Sequence, residues 1–432
     1  MVHPNLVGAP TIHVFDPRYR PCRKCKSLCK CGSFEPPIQS TIVMEGSQWS
    51  SDEVVRRHGI AVVTLKCNPH LIHPVLNLWN ENKKKCETTN LDENHVEITV
   101  DSYSLQTCLL EAGYSLVKVF CFYEFVLAPS IWKEITMKLY VQKTVHSGDE
   151  PADKEGYLDR WDRFPGMADY FEEAWHQWGN HPAQKKVAKI AVNCIWGKHA
   201  ERVNMPQIEI FDYAKNRSDI GLLMNNFETK AYALKGASLI HPERSLIQYR
   251  YVYENAKKNL HKGYLPAALM IPAYGRIQLW REMNKLGTRV LMCDTDSIVY
   301  VYDPELYAVP TGDLMGEWEE EKESILGIEE FVAWGPKTYG LRMTDGSTIV
   351  KAKGLSLNYA TEKLFNFNVM KNMALTFLRG ETIEPVSVPQ FTFEWSMQKD
   401  MQTVFALKNV QINRGDLKGD LVEGYIYPRG YQ

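Results

Sequence analysis

Between positions 289 and 302 two apolar runs, Arg289 to Cys293 and Ile298 to Tyr302, are separated only by Asp294-Thr295-Asp296-Ser297. β-Branched and aromatic runs of this length, split by turn-forming residues, predict a tight β-hairpin with two carboxylates at its tip. A bare D-x-D is also compatible with an ordinary Asx turn. Two like charges flanked by apolar strands are costly to hold near a core unless a cation offsets their repulsion. Asp294 and Asp296 are therefore candidate ligands for a divalent metal ion.

The chain has 432 residues, of which 44% are hydrophobic and 24% charged, so it is long enough for a large core and several subdomains. No apolar run reaches the roughly 18 residues a membrane span needs. The best stretch, 114–132, is interrupted by Lys118 and Glu124. The start, MVHPNLVGAP, lacks the basic-then-apolar order of a secretory signal, and the cysteine usage fits a reducing compartment. Fifty basic against 52 acidic residues give a net charge of −2, so any nucleic-acid binding must rest on local positive charge.

Along the chain, residues 1–40 read as a loop-dominated segment rich in Pro, Cys and basic residues. Residues 59–66 and 113–126 read as buried strands. Ile131, Ile135 and Leu139 sit at helical spacing in a helix stopped by Ser147-Gly148, and 149–180 reads as loop with short helices. Residues 182–200 and 264–286 predict amphipathic helices, whereas 206–260 predicts strands and turns. The acidic run from Glu317 to Glu330 predicts a solvated face. A basic strand follows at 348–354, and a helix runs from an N-cap at Asn368 to a stop at Arg379-Gly380.

In the helix AQKKVAKIAVNCIWGKHA, Val187, Ile190, Ala191, Cys194 and Ile195 follow a helical apolar period and predict the buried stripe. Lys186, Lys189, Asn193 and Trp196 lie on another face. Two ammonium groups, an amide and an indole in line suit a nucleotide, although a solvated basic face is an equally simple explanation for the helix alone. Gly335-Pro336-Lys337-Thr338-Tyr339, with Lys351 and Lys353 behind it, suits a sugar-phosphate contact. Cys22, Cys25, Cys29 and Cys31 place four thiols close enough to bind zinc, yet their spacing is tighter than in zinc ribbons, and a reduced loop is the alternative. Cys67, His70 and His73 sit in a loop with Pro69 and Pro74 and give little indication of a metal site. P-loop, Rossmann, zincin and α/β-hydrolase motifs are missing.

Taken in order, these segments resemble family B DNA polymerases, and within them the protein-primed branch of adenoviruses, linear plasmids and Maverick/Polinton transposons. VAKIAVNCIWGK is similar to the fingers motif K-x-x-x-N-S-x-Y-G-K, with Cys194 in the Ser position and Trp196 in the Tyr position. CDTDS is similar to the palm motif Y-x-D-T-D-S, with Met292 in the Tyr position. GPKTYG resembles the K-x-Y segment that touches primer–template. AALMIPAYGRIQLW, GDLMGEW, KGLSLN and IYPRGYQ resemble further segments of this branch. The resemblance spans about residues 59–432.

It implies an α+β right hand: an antiparallel-sheet palm backed by helices, helical fingers and a thumb. The expected divisions are a Cys/Pro-rich segment (1–40), first part of the palm (41–130), fingers (131–205), an insertion of protein-primed type (206–255), palm with the D-T-D-S hairpin (256–335) and thumb (336–432). It implies dNTP addition to a primer 3′-hydroxyl in replication of a viral, plasmid or transposon genome, by phosphoryl transfer using two Mg2+ or Mn2+ ions. Its implied partners are primed DNA, dNTPs and a terminal protein primer, with no membrane, in host nucleus or cytoplasm. By the same resemblance Asp296 is the palm metal ligand, supported by Asp294. Lys189 and Lys186 face the triphosphate, and Asn193 and Trp196 shape the nucleotide pocket. Lys337, Tyr339, Lys198 and Lys353 hold DNA.

The chain departs from the family where another palm Asp, from D-x-x-S-L-Y-P, belongs. The nearest by position is Asp16 in HVFDPRYRP, whose carboxylate should approach that of Asp296 if they share metals. No exonuclease segment precedes the palm, so the chain is expected to be an N-terminally shortened polymerase. A remnant that only binds DNA is the serious alternative. A D-x-D nucleotide-sugar glycosyltransferase is a remote one, because it leaves the Lys189 helix and the K-x-Y segment unexplained.

Overall fold

The computed structural model describes residues 5–16, 40–80, 85–88, 96–130, 132–200, 207–212, 217–229, 232–251, 264–321, 327–396, 399–412, 420–422, 425–428 and 431. The architecture is α+β, as the sequence predicts, with largely antiparallel sheets.

The first unit is a five-stranded sheet in the order β2-β1-β7-β3-β6. Its strands are β1 (Asn5–Val14), β2 (Thr41–Met44), β3 (Gly59–Lys66), β6 (Val96–Asp101) and β7 (Ser115–Ala128). A small hairpin, β4 (Asn77–Asn80) and β5 (Lys85–Thr88), lies between β3 and β6 in sequence. β1 corrects the loop expected over residues 1–40, because its apolar residues find neighbours only far along the chain. It pairs antiparallel with β7 and parallel with β2. At Gly59 the strands approach so closely that a Cβ would lie 1.8 Å from the Tyr123 carbonyl oxygen, so β3 can enter here only through glycine.

Helices α1 (Ser51–Val55) and α2 (Ser102–Leu110) and the long helix α8 (Leu265–Leu286) accompany this sheet. Ile277 and Trp280 of α8 join Val63, Leu65, Val119, Phe122 and Leu105 in one core. Asp101 caps α2 by accepting from the Ser104 N–H at 2.8 Å, and Arg276 of α8 reaches the same carboxylate at 3.3 Å. Gly287 ends α8 with φ 59°.

The second unit is helical. α3 (Lys133–Val145), α4 (Lys154–Asp159) and α5 (Met167–Ala174) surround Trp161, Phe171 and Met167, all essentially buried. The buried residues of α3 are Thr136, Met137, Val141 and Val145. Ile135, expected on the core face, is half exposed, and Ile131 lies outside the described residues. The two-residue strands β8 (Ser147–Gly148) and β9 (Gly179–Asn180) pair and lead into α6 (Pro182–His199), which packs on α3.

Next comes a three-stranded sheet, β10 (Gln207–Asp212), β11 (Tyr232–His241) and β12 (Arg244–Tyr251), with β12 central. Helix α7 (Arg217–Glu228) is an addition to the strands and turns expected here. Its Ile220, Leu223 and Phe227 follow the i, i+3, i+7 spacing and cover Phe211 and Tyr249.

After α8 the chain forms β13 (Val290–Asp294) and β14 (Ser297–Tyr300), then β15 (Ile328–Gly335), β16 (Thr338–Met343) and β17 (Thr348–Lys351). α9 (Tyr359–Glu362) and α10 (Phe367–Leu378) follow. The last strands are β18 (Val386–Ser396), β19 (Lys399–Val410), β20 (Asp420–Val422) and β21 (Tyr425–Tyr427). Phe365, Met370, Trp334 and Val388 form the core of this part.

Two local expectations need correction. The N-cap of α10 is Asn366, whose side chain accepts from the Val369 N–H; Asn368 lies inside the helix and accepts from Arg342. The acidic run is not wholly solvated. Glu317 pairs with Arg163 at 2.7 Å, and Glu330 is held by Arg342 and Lys371. Cations brought from elsewhere in the chain convert these two into ion pairs.

Candidate active site

Asp294 pairs with Ser297, so the β13–β14 hairpin closes over a two-residue loop, Thr295-Asp296. The Asp296 N–H donates to the Asp294 carbonyl at 2.6 Å, which closes a γ-turn around Thr295. Thr295 has φ 59°, a strained conformation for a β-branched residue. Its hydroxyl donates to Asp294 Oδ1 at 3.0 Å, and the Ser297 hydroxyl donates to the Asp294 carbonyl at 3.1 Å. The turn leaves the Asp296 side chain exposed at the tip.

A second hairpin meets the first. Gly335 pairs with Thr338, leaving Pro336-Lys337 as the β15–β16 loop. Proline suits the first central position of a type II turn, and the second requires positive φ, usually from glycine. Lys337 holds that place with φ 56°. Among the described residues Thr295 and Lys337 are the two non-glycine residues with positive φ. The Lys337 ammonium donates to Asp294 Oδ2 at 2.9 Å. That hydrogen bond and the charge of Asp294, with the field of Asp296 behind it, hold the Lys337 ammonium above the ordinary lysine range. Lys337 therefore stays charged at neutral pH.

Further positive charge is arranged by the strand register. Lys351 pairs across from Tyr339, and the Lys353 N–H donates to the Thr338 hydroxyl at 3.3 Å. Lys337, Lys351 and Lys353 are all exposed at this end of the sheet. The Tyr339 ring stacks on Phe331 with centroids 6.4 Å apart. The sequence indicated Lys337 as a DNA ligand but gave no sign of its contact with Asp294. The only local signal was a non-glycine residue after proline in a two-residue turn.

Helix α6 keeps Lys186, Lys189, Asn193 and Lys198 exposed, as both a ligand-facing side and a solvated basic face require. Its core face is rotated from the expected one. Ala188 is its buried residue, whereas Val187 is 67% and Ile190 50% exposed, and Cys194 is exposed too. Tertiary partners fix the rotation. The Trp196 indole N–H donates to the Ala268 carbonyl of α8 at 3.1 Å, and the Tyr264 N–H donates to His199 Nδ1 at 3.1 Å. Trp196 thus holds α6 to α8 while part of its ring remains accessible. α8 leads through a 3₁₀ turn into β13, and β14 lies against it, so one helix carries both the α6 anchor and the carboxylate hairpin.

Asp16 sits at the end of β1. Its N–H donates to the Phe120 carbonyl at 3.2 Å and its carboxylate lies 3.7 Å from the Lys118 ammonium. Among the described residues no three His, Cys, Asp or Glu side chains are grouped to hold a metal ion. Asp16 therefore does not complete a three-carboxylate site with Asp294 and Asp296. Magnesium, however, is commonly held by one or two carboxylates together with water and substrate phosphates. The Asp294/Asp296 pair, with Asp296 exposed and Asp294 half-buried, fits that partial donor set, and Lys337 is the present counter-ion of Asp294. Cys22, Cys25, Cys29 and Cys31 lie outside the described residues. At the Cys67/His70/His73 loop, His73 donates through Nε2 to the Gly287 carbonyl at 2.8 Å, and burial lowers its pKa. That histidine ties the loop to the end of α8. No described helix is long and apolar enough to cross a membrane.

No family model and no curated protein sequence matches the chain. Among solved structures it is similar to Phi29 DNA polymerase complexed with primer-template DNA and incoming nucleotide substrates, with a TM-score of 0.47 and 15% identity over 85% of this chain and 52% of that one. It is also similar to Phi29 DNA polymerase complexed with single-stranded DNA (TM-score 0.45, 14% identity, 83% of this chain and 50% of that one). A third, the same polymerase with primer-template DNA in a post-translocation binary complex, gives 0.46 and 13% identity over 84% and 57%. The chain spans about half the length of these polymerases.

Proposed function

We propose that the protein is a DNA-directed DNA polymerase of the protein-primed family B type, built as a right hand. The observation that carries this is the meeting of the D-T-D-S and K-x-Y hairpins through Asp294 and Lys337 at 2.9 Å. Each segment alone is an ordinary turn. Together they set an acidic tip beside a basic sheet end, an arrangement suited to a metal–triphosphate next to a primer–template backbone.

In this reading 256–335 is the carboxylate-bearing palm, 131–205 the fingers, 206–255 an insertion and 336–432 the thumb. Asp294 and Asp296 would hold Mg2+, which when bound neutralises the triphosphate and lowers the pKa of the primer 3′-hydroxyl. Lys189 and Lys186 grip the triphosphate from the exposed side of α6. Asn193 supplies an amide to the nucleotide's polar edge, and the Trp196 ring, oriented by its bond to Ala268, forms one wall of the pocket. Lys337, Lys353, Lys198 and Tyr339 hold the primer–template.

One observation favours a second reading, DNA binding without chemistry. Asp16 is paired with Lys118, and no three-carboxylate cluster forms among the described residues. Primer extension with Mg2+ and dNTPs separates the two. The polymerase reading predicts extension by the native chain and none by Asp296→Ala, with DNA binding kept. Binding without extension by the native chain overturns it in favour of the second.

A further inference from the structure

Lys337 is assigned above to the primer–template, yet the structure pairs it with a carboxylate of the metal-binding tip. We propose that Lys337 is an exchangeable counter-ion that balances Asp294 until a divalent cation enters, then passes to a phosphate of the primer–template, so that cation and DNA binding reinforce one another through one side chain. This rests on the reading of the Asp294/Asp296 tip as a cation site.

Three observations carry it. The ion pair is accessible, with side-chain exposures of 66% for Lys337 and 31% for Asp294, so exchange breaks no buried bridge. Both partners belong to turns with a non-glycine residue at positive φ, at Thr295 and at Lys337 itself. Such a turn places the base of the lysine beside the carboxylate tip while its long, flexible stem leaves the ammonium free to change partner. Finally, Lys351 and Lys353 lie exposed on the same sheet end, so a phosphate backbone drawn there offers Lys337 an acceptor within the same patch.

A divalent cation and an ammonium compete for Asp294, because two positive charges on one carboxylate repel. DNA that takes up the ammonium removes the competitor, and by linkage the cation must favour DNA by the same factor.

Mn2+ binding to the full chain, followed by electron paramagnetic resonance at low ionic strength and corrected for Mn2+ held by the duplex, tests this. Without DNA, Lys337→Met and Lys337→Gly should bind Mn2+ about fivefold more tightly than the native chain, the scale of an exposed ion pair. The glycine variant also suits the turn, and Lys337→Arg should stay near native. A primed duplex should tighten Mn2+ binding in the native chain and not in the Met and Gly variants. Equal affinities in native, Met and Gly chains, with Mn2+ binding lost in Asp296→Ala, would overturn the exchange while leaving the cation site standing. Mn2+ binding that is indifferent to Asp296→Ala would remove the site itself, and the exchange with it.

Discussion

Neutralising the basic sheet end should change the salt dependence of DNA binding, and the structure sets the size of the change. Six lysines assigned or adjacent to the nucleic-acid surface are exposed: Lys186, Lys189 and Lys198 on α6, and Lys337, Lys351 and Lys353 around the β15–β17 sheet. Each phosphate neutralised on duplex DNA contributes about −0.9 to the slope of log K against log salt. If all six engage, the slope is about −5.4, and affinity falls by roughly three decades between 50 and 200 mM salt. The triple variant Lys337→Met, Lys351→Met, Lys353→Met should halve that slope to about −2.7 and bind correspondingly more weakly at low salt. Fluorescence anisotropy of a labelled primed duplex, titrated at several salt concentrations, reads the slope directly. A slope unchanged by the triple substitution would refute the placement of DNA on this sheet end.

Other consequences follow from particular contacts. Asn366→Ala should destabilise α10 by about 1 kcal/mol through loss of its cap, and Asn368→Ala by less, as read from urea midpoints. Ile277→Ala opens a void at a fully buried position between α8 and the first sheet and should cost about 2–5 kcal/mol in urea unfolding. Glu111 accepts two hydrogen bonds from Arg281 at 2.6 and 2.8 Å, which hold its carboxyl below the usual range. A depressed carboxyl pKa stabilises above the unfolded value, and that stability is lost as pH falls through the folded one. The pair is more than a third exposed, so screening limits its contribution to about 1 kcal/mol or less, lost as the pH falls from the unfolded carboxyl value through the depressed folded one. Glu111→Gln should flatten that acid limb, and an unchanged limb would show that the pair carries no pH dependence.

What the sequence made legible was local. The β13–β14 hairpin, α8 and α6 are written in apolar periods and turn residues a few positions apart, and their bounds fall within about two residues of expectation. What it missed depended on distant partners. β1 is a strand because β7 lies beside it more than 100 residues later. The period of α6 indicated one apolar face, but the anchor at Ala268 and the packing on α3 bury another, centred on Ala188. The sequence indicated Asn368 as the cap, but it lies inside the first turn of the helix and accepts from Arg342, 26 residues away in sequence, while Asn366 caps. At the site, Asp294, Asp296 and Lys337 were each named, but their meeting depends on how two hairpins pack. Asp16 was proposed from position in sequence alone, and Lys118, its neighbour across the β1–β7 pair, holds it instead.

Single-nucleotide incorporation opposite each of the four template bases, with UDP-sugar turnover measured on the same preparation, decides whether the Asp294/Asp296 tip serves a polymerase. The polymerase account predicts incorporation of the matched nucleotide only, its loss in Asp296→Ala, and no UDP-sugar turnover. UDP-sugar cleavage that depends on Asp296, or incorporation that persists in Asp296→Ala, would contradict it.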